Sequence, residues 1–195
     1  MVDQKDIVIS GGGIAGLVAA VAFGDAGFDV LCVDPTVPIT NRDIAGADLR
    51  TTAYLQPGQA FLQAIGVWPL IKDRSAPLQV MRIVDAVGQD LVTKDFDAAD
   101  ISDAPFGWNV GNWDMREGLL SQISALPNVD FKPGLSTTAT SSRSTEARVT
   151  LSNGRVISCK LLIAADGRDS TIRKAAGIKA KRSEFGQLAL SFAVT

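Results

Sequence analysis

The sequence predicts an α/β fold built on a βαβ unit, and three stretches predict it. Residues 6–35, DIVISGGGIAGLVAAVAFGDAGFDVLCVDP, run strand, glycine turn, helix, strand. Residues 160–173, KLLIAADGRDSTIR, are a second strand-to-helix junction. Between them, Leu78–Asp85 and Asp90–Asp95 flank Val87-Gly88-Gln89 in the manner of a hairpin. Antiparallel strands inside a βαβ chain imply an excursion that begins a second lobe.

In the first stretch, Ile7-Val8-Ile9 is a β-branched burst suited to a buried parallel strand. No charge occurs from Ile7 to Gly24, so a membrane span has to be weighed. Such a span needs about 20 apolar residues in one helix. Ser10-Gly11-Gly12-Gly13 breaks any helix there, each glycine costing roughly 1 kcal/mol against alanine. A signal peptide fits no better, because Asp3 and Asp6 offset Lys5 and the run continues into strand-like sequence. Ile14 to Ala26 is helix-compatible, Gly27 suits its stop, and Phe28 to Val33 is a second strand ending at Asp34.

The glycines then have a purpose. Gly11-x-Gly13-x-x-Gly16 is the dinucleotide fingerprint of Rossmann-like folds. Gly11 allows a tight turn, Gly13 lets a pyrophosphate approach the backbone, and Gly16 lets helix and strand pack closely. The helix start, with Ile14 and Ala15, offers orphan N–H donors to phosphate. Asp34 stands where a carboxylate accepts hydrogen bonds from an adenosine ribose, which favours FAD or NAD over NADP.

Composition narrows the chemistry. With a formal net charge of −2, there is no global electrostatic case for nucleic acid. Arg168, Arg173, Lys174, Lys179, Lys181 and Arg182 form a local basic cluster, either a solvated face or a contact for a phosphate-bearing second substrate. The two cysteines, Cys32 ending a strand and Cys159 preceding one, read as reduced core thiols. Histidine is absent, which removes His-based triads and His-ligated metals and moves the chemistry onto a cofactor. No catalytic side chain and no metal site are expected.

Thr36–Leu49 reads as a loop, with Arg50 at the start of a helical segment from Thr51 to Ile65 that Pro57 breaks or starts. Gly66 and Trp68-Pro69 end it. After the hairpin, Asp97–Asp103 is an acidic loop and Trp108-Asn109-Val110 returns to the first domain. Trp113–Ala125 is helical, and Asn112 before it either caps the helix or reaches a cofactor. Val129–Lys132, Arg148–Leu151 and Val156–Cys159 are strands, the last two joined by an Asn-Gly turn. Ser/Thr-rich Thr137–Ser144 is expected as a loop. The run Lys160–Ala165 brings Asp166-Gly167 to the carboxyl end of a strand, where α/β sheets bind ligands. Asp169 or Ser170 caps the next helix, which carries Arg173. Leu188–Thr195 looks like the first strand of the second lobe. The expected organisation is 1–74 and 106–180 as two segments of a nucleotide-binding domain, 75–105 as the excursion, and 181–195 as the start of the second lobe.

Together these motifs resemble flavin-dependent aromatic hydroxylases of the p-hydroxybenzoate hydroxylase type, and within them the ubiquinone-biosynthesis hydroxylases. The resemblance rests on Gly11-Gly12-Gly13-Ile14-Ala15-Gly16, Arg50, Leu55-x-Pro57-Gly58 and Ile65-Gly66-Val67-Trp68. It rests also on Gly107-Trp108-Asn109-Val110-x-Asn112 and Ala165-Asp166-Gly167-Arg168-Asp169-Ser170-x-x-Arg173. It implies that Gly11, Gly13 and Gly16 hold the FAD pyrophosphate, with Asp34 on the ribose. Arg50 and Asn112 match positions near the flavin or its phosphates; Asp166 and Gly167 match a motif tied to FAD and nicotinamide binding, with Arg173 a candidate for the latter. NAD(P)H would be the cosubstrate, and O₂ would supply the oxygen placed on an electron-rich ring. A small aromatic substrate, polyprenylated in the ubiquinone branch, is implied, with a cytoplasmic protein peripheral to the membrane and no spanning segment. The family's late Gly-Asp flavin motif is not found; Gly24-Asp25 belongs to the first helix. The expectation is therefore an N-terminal half of a longer protein, its missing C-terminal half a partner in function, with weak FAD binding and no activity alone. The alternatives are another FAD-dependent oxidoreductase of this fold and a non-catalytic nucleotide-binding module.

Overall fold

A computed structural model describes residues 3–188 except 87 and 89. Its main sheet has six strands in the order β8-β2-β1-β11-β10-β9. β1 (Asp3–Ser10) lies centrally, paired in parallel with β2 (Val30–Asp34) and with β11 (Val156–Ala164). β8 (Val129–Pro133) extends the parallel half beyond β2. β10 (Ala147–Leu151) and β9 (Thr137–Ser142) run antiparallel on the other side.

Strand alternation sorts the apolar run of β1 onto two faces. Ile7 and Ile9 join Leu17, Val21, Cys32, Met115 and Leu119 in one core, where α1 (Ile14–Asp25) packs against α4 (Asn112–Ser124). Val8 joins Leu31, Val33, Val149, Leu151, Ile157 and Cys159 on the opposite face. Burying each such aliphatic side chain is worth about 1.5–3 kcal/mol, which explains why β1 carries three of them in a row. The α/β class with its parallel sheet and antiparallel excursion is as the sequence predicts. Among the described residues, no helix is long and apolar enough to cross a membrane.

A second, three-stranded sheet, in the order β3-β7-β4, corrects one expectation. Thr51–Leu55 is strand β3, not the first part of a helix, and pairs antiparallel with β7 (Gly107–Gly111). Its residues alternate exposed and half-buried, and its two threonines are β-branched, so the period of two overrides the helical reading. The helix, α2 (Gln56–Ala64), starts only at Gln56, with Pro57 in its first turn where the missing N–H does no harm. Trp68-Pro69 does more than end that segment. It opens a further short helix, α3 (Trp68–Ile71), and Trp68 meets Trp108 edge to face with centroids 5.4 Å apart. Trp108–Val110 thus returns to this small sheet, where Ala76 and Pro77 form β4, and not to the parallel one.

The expected hairpin is present as β5 (Val80–Asp85) and β6 (Val92–Asp97), although residues 87 and 89 of its turn lie outside the described ones. Every residue of both strands is exposed. One face carries Met81, Ile83, Val92 and Phe96, while the other is tied by Arg82 to Asp95.

Thr137–Ser142 is a strand where a loop was expected. Threonine is β-branched, and an edge strand needs only one apolar face or none, so its polar composition hid it. Cys159 lies inside β11 and does not precede it. Lys160 and the apolar residues 161–164 continue that strand, which pairs with β10 over Val156–Cys159. The strand expected over Leu188–Thr195 falls on residues of which 189–195 lie outside the described ones.

Candidate dinucleotide site

The glycine corner sits at the carboxyl end of β1. Gly11 has φ of +111°, a conformation open to glycine, and its N–H donates to the Val33 carbonyl at 2.8 Å. A Cβ at Gly11 would lie 2.2 Å from the Ala165 carbonyl oxygen, so the corner is packed onto the turn that follows β11. Gly12 donates its N–H to Asp34 Oδ2 at 2.6 Å. Gly13, by contrast, is exposed, and a Cβ there would meet nothing within 4 Å.

The first intrahelical bond of α1 runs from Leu17 N–H to the Gly13 carbonyl. Among the described residues, no protein acceptor takes the N–H groups of Gly13, Ile14 or Ala15. No side chain caps this helix start. Its donors and positive dipole end therefore point unspent into solvent beside an open glycine, the arrangement that receives an anion.

Asp34 closes the corner from β2. Besides the Gly12 N–H, its carboxylate accepts from Thr36 N–H at 2.8 Å and Thr36 Oγ1 at 2.7 Å. These bonds fix its orientation and leave acceptor capacity for further donors. A cleft of about 300 Å³ runs past Gly12, Gly13 and Asp34 to Asp48 and Arg116.

The sequence-predicted Arg50 and Asn112 meet on Asp48, a residue lining that cleft which the sequence reading missed. Asp48 accepts from Arg50 Nε at 2.7 Å, from Arg50 Nη2 at 2.8 Å and from Asn112 Nδ2 at 2.8 Å. Arg116 Nη2 lies 3.6 Å from the same carboxylate. The Arg50 hydrogen bonds hold the Asp48 carboxyl far below the usual carboxylate range against the opposing effect of burial, with Asn112 assisting. Asn112 does not cap its helix. It is the first residue of α4 after a Gly111 N-cap, its Oδ1 accepts from Thr52 Oγ1 at 2.8 Å, and it is buried. Arg50 precedes a strand instead of a helix, and its side chain is exposed. An Asp two residues before an Arg was the only sequence signal for Asp48, and Arg116 showed none beyond its place on α4.

The second motif adjoins the first. Ala165 N–H donates to the Ser10 carbonyl at 2.8 Å, setting the Asp166 turn beside Gly11. Asp166 Oδ2 accepts from Thr171 N–H at 2.8 Å, holding the start of α5 (Thr171–Ala175). Its other oxygen, Oδ1, is buried without a partner. Burial works against the charge of Asp166, but hydrogen bonds from Ser170, Ile172 and Thr171 outweigh it and keep the carboxyl below its ordinary value. Ser170, not Asp169, is the N-cap, accepting from Arg173 N–H at 3.0 Å. Arg173 is not brought into the cleft. With Gly167 it lines a separate groove of about 740 Å³ between β11, α5 and the β9–β10 connection.

A parallel sheet, a glycine corner with unspent amides and an acid ending the next strand define a dinucleotide-binding α/β domain. The chain belongs to the FAD binding domain family, whose model matches residues 4–195. It is 31% identical over 189 residues to ubiquinone hydroxylase UbiL of Rhodospirillum rubrum, covering 97% of this chain and 43% of that protein. It is 27% identical over 190 residues to 3-demethoxyubiquinol 3-hydroxylase of Escherichia coli, covering 97% of this chain and 48% of the relative. Among solved structures, p-nitrophenol 4-monooxygenase PnpA from Pseudomonas putida DLL-E4 shares the fold with a TM-score of 0.77 at 21% identity, over 91% of this chain and 44% of that one. PqsL of P. aeruginosa in complex with 2-aminobenzoylacetate gives 0.77 at 22% identity, over 94% and 48%. The resemblance read from the motifs is borne out at the level of the family. The chain spans a little under half the length of these curated relatives.

The residues present fit FAD. Among the described residues, Gly13 leaves an uncovered approach to three free amides, the Asp34 carboxylate is fixed by the Gly12 and Thr36 bonds with acceptor capacity to spare, and Asp166 Oδ1 is a buried acceptor without a donor.

Proposed function

We propose that this chain is the FAD-binding part of a flavin-dependent aromatic hydroxylase of the ubiquinone-hydroxylase kind. The observation that carries the reading is the open Gly13 corner with its unspent amides, in a chain aligned along 97% of its length with a ubiquinone hydroxylase. Gly11 and Gly16 shape the corner, while Gly13, Ile14 and Ala15 present N–H donors to the diphosphate. Asp34 accepts from the adenosine ribose. Arg50 and Asn112 support the middle of the cofactor, and Asp166 with Gly167 receives its far end. When bound, FAD supplies the redox chemistry: it takes electrons from NAD(P)H and passes oxygen from O₂ to an aromatic ring. The protein's share is binding, orientation and exclusion of water.

Arg173, beside the larger groove, is the candidate for the nicotinamide cosubstrate. Residues 1–74 and 106–180 serve as the cofactor-binding segments, 75–105 as the excursion toward a substrate lobe, and 181–195 as that lobe's beginning. The substrate proposed from the named relatives is a polyprenylated phenol, met at a membrane surface. Without a late Gly-Asp motif in these 195 residues, the chain alone binds FAD weakly and does not turn over.

Titration of the purified chain with FAD, followed by flavin fluorescence and calorimetry, tests the reading. Saturable binding of one FAD that ADP displaces supports it; no binding of either ligand overturns it. NADH- or NADPH-dependent oxygen uptake with a phenol by the chain alone would overturn the claim of inactivity.

A further inference from the structure

We infer that Asp48 is the positioning residue of the cofactor cleft, holding two arginines side by side for the diphosphate; this rests on the FAD reading above. Asp48 stands in the loop between β2 and β3 and lines the cleft with Gly13 and Asp34. Its side chain is 17% exposed, against 70% for Arg50 and 21% for Arg116. Two parts of the chain meet at that one carboxylate, the β2–β3 loop and α4. The loop contributes it and, just before β3, Arg50, while α4 contributes Asn112 and Arg116.

Charge gives the arrangement its meaning. Two guanidinium groups drawn to one carboxylate repel each other, although the exposure of Arg50 to solvent lessens that repulsion. Asp48 offsets it. Two cations face the one carboxylate, and of the two Arg116 lines the cleft itself. Arg50 spends Nε and Nη2 on Asp48 in a fork-shaped pair, which fixes the plane of its guanidinium and leaves Nη1 without a hydrogen bond among the described residues. Arg116 is only loosely engaged, at 3.6 Å, so its donors stay available. Thr52 completes the support by donating to Asn112 Oδ1, which turns the Asn112 amide so that its N–H reaches Asp48.

The cleft already contains another acid, Asp34, whose role is toward hydroxyl groups. A second carboxylate there without paired arginines would repel a diphosphate. Paired as it is, Asp48 organises the site's cations instead of opposing the ligand.

Calorimetric titration with ADP and with adenosine separates this role from general support of the fold. In Asp48→Ala the ADP affinity is expected to fall about tenfold, while the adenosine affinity changes less than about twofold, since adenosine carries no phosphate for the arginines to meet. Asp48→Asn, which keeps the shape and the hydrogen-bond acceptor, is expected to lose ADP affinity in the same direction and serves if the alanine variant does not fold. Asp48→Glu is expected to recover part of the loss. Unchanged or tighter ADP binding in the alanine and asparagine variants would overturn the inference, as would a parallel loss of ADP and adenosine. If the unaltered chain binds neither ligand, the cofactor reading falls and this role falls with it; if it binds both and Asp48→Asn behaves like it, the role alone falls.

Discussion

Gly16 lies against Gly11 so closely that a Cβ on Gly16 would be 1.8 Å from the Gly11 carbonyl oxygen. The helix start and the end of β1 are in backbone contact, and no side chain fits between them. Gly16→Ala is therefore expected to force the corner apart and destabilise the chain by about 3 kcal/mol, in the upper range for overpacking. Urea unfolding monitored by far-UV circular dichroism checks this, and FAD binding should vanish together with the native baseline.

Gly13→Ala should behave in the opposite way. Its backbone is at φ −66°, suited to any residue, and the space around it is empty. Stability is expected to stay within about 0.5 kcal/mol of the unaltered chain, as for a surface substitution. FAD affinity should nevertheless fall, because the added methyl occupies the approach to the free amides. Unfolding and titration measured on the same preparation distinguish the two glycines.

Asp34→Ala removes three hydrogen bonds at once, those from Gly12 N–H, Thr36 N–H and Thr36 Oγ1. A loss of about 1–3 kcal/mol in stability is expected, mostly from the amide of the buried Gly12 left without an acceptor. Adenosine binding should weaken in parallel, in contrast to the pattern for Asp48.

Acid should weaken the folded chain through Asp48. Its carboxyl is depressed in the folded chain, so the paired form contributes above the unfolded value of about 4 and the contribution is lost as pH falls from there toward the folded value. The stability difference between the unaltered chain and Asp48→Asn should be constant above about pH 4 and shrink progressively as the pH falls below it.

Both thiols should be silent in the native chain. Burial pushes the Cys32 thiol up to about 12, with the Asp34 charge adding to the effect, and burial raises Cys159 as well. Neither is expected to react with an aromatic disulfide reagent at mildly alkaline pH, and both should react in denaturant. Labelling counted by intact mass is the measurement.

What the sequence reveals and hides follows from the range of the interactions. The βαβ unit was legible because its signals are local: three glycines at fixed spacing, β-branched bursts, and an acid at a strand end. The Asp166 junction was legible for the same reason. Thr51–Leu55 was misread because it is a strand only by virtue of β7, which is distant along the chain, whereas Thr137–Ser142 pairs with the neighbouring β10 and was hidden by its polar composition. Asn112 carried an ambiguous local signal, a cap residue before a helix. Its actual partners, Thr52 and Asp48, are 60 and 64 residues away, so only the folded chain brings them to light. Asp48 had no periodicity or motif to mark it.

The hairpin of β5 and β6 carries one more consequence. A two-stranded ribbon with no covering layer has little to oppose its opening, and its base meets the rest of the chain through Leu78, whose N–H donates to the Gly107 carbonyl and whose carbonyl accepts from Phe106 N–H. Its amides should be the first in this chain to exchange with deuterium. The adhesive stripe of Met81, Ile83, Val92 and Phe96 should make concentrated solutions of the isolated chain cloud, and replacing Ile83 by lysine on that stripe should keep them clear.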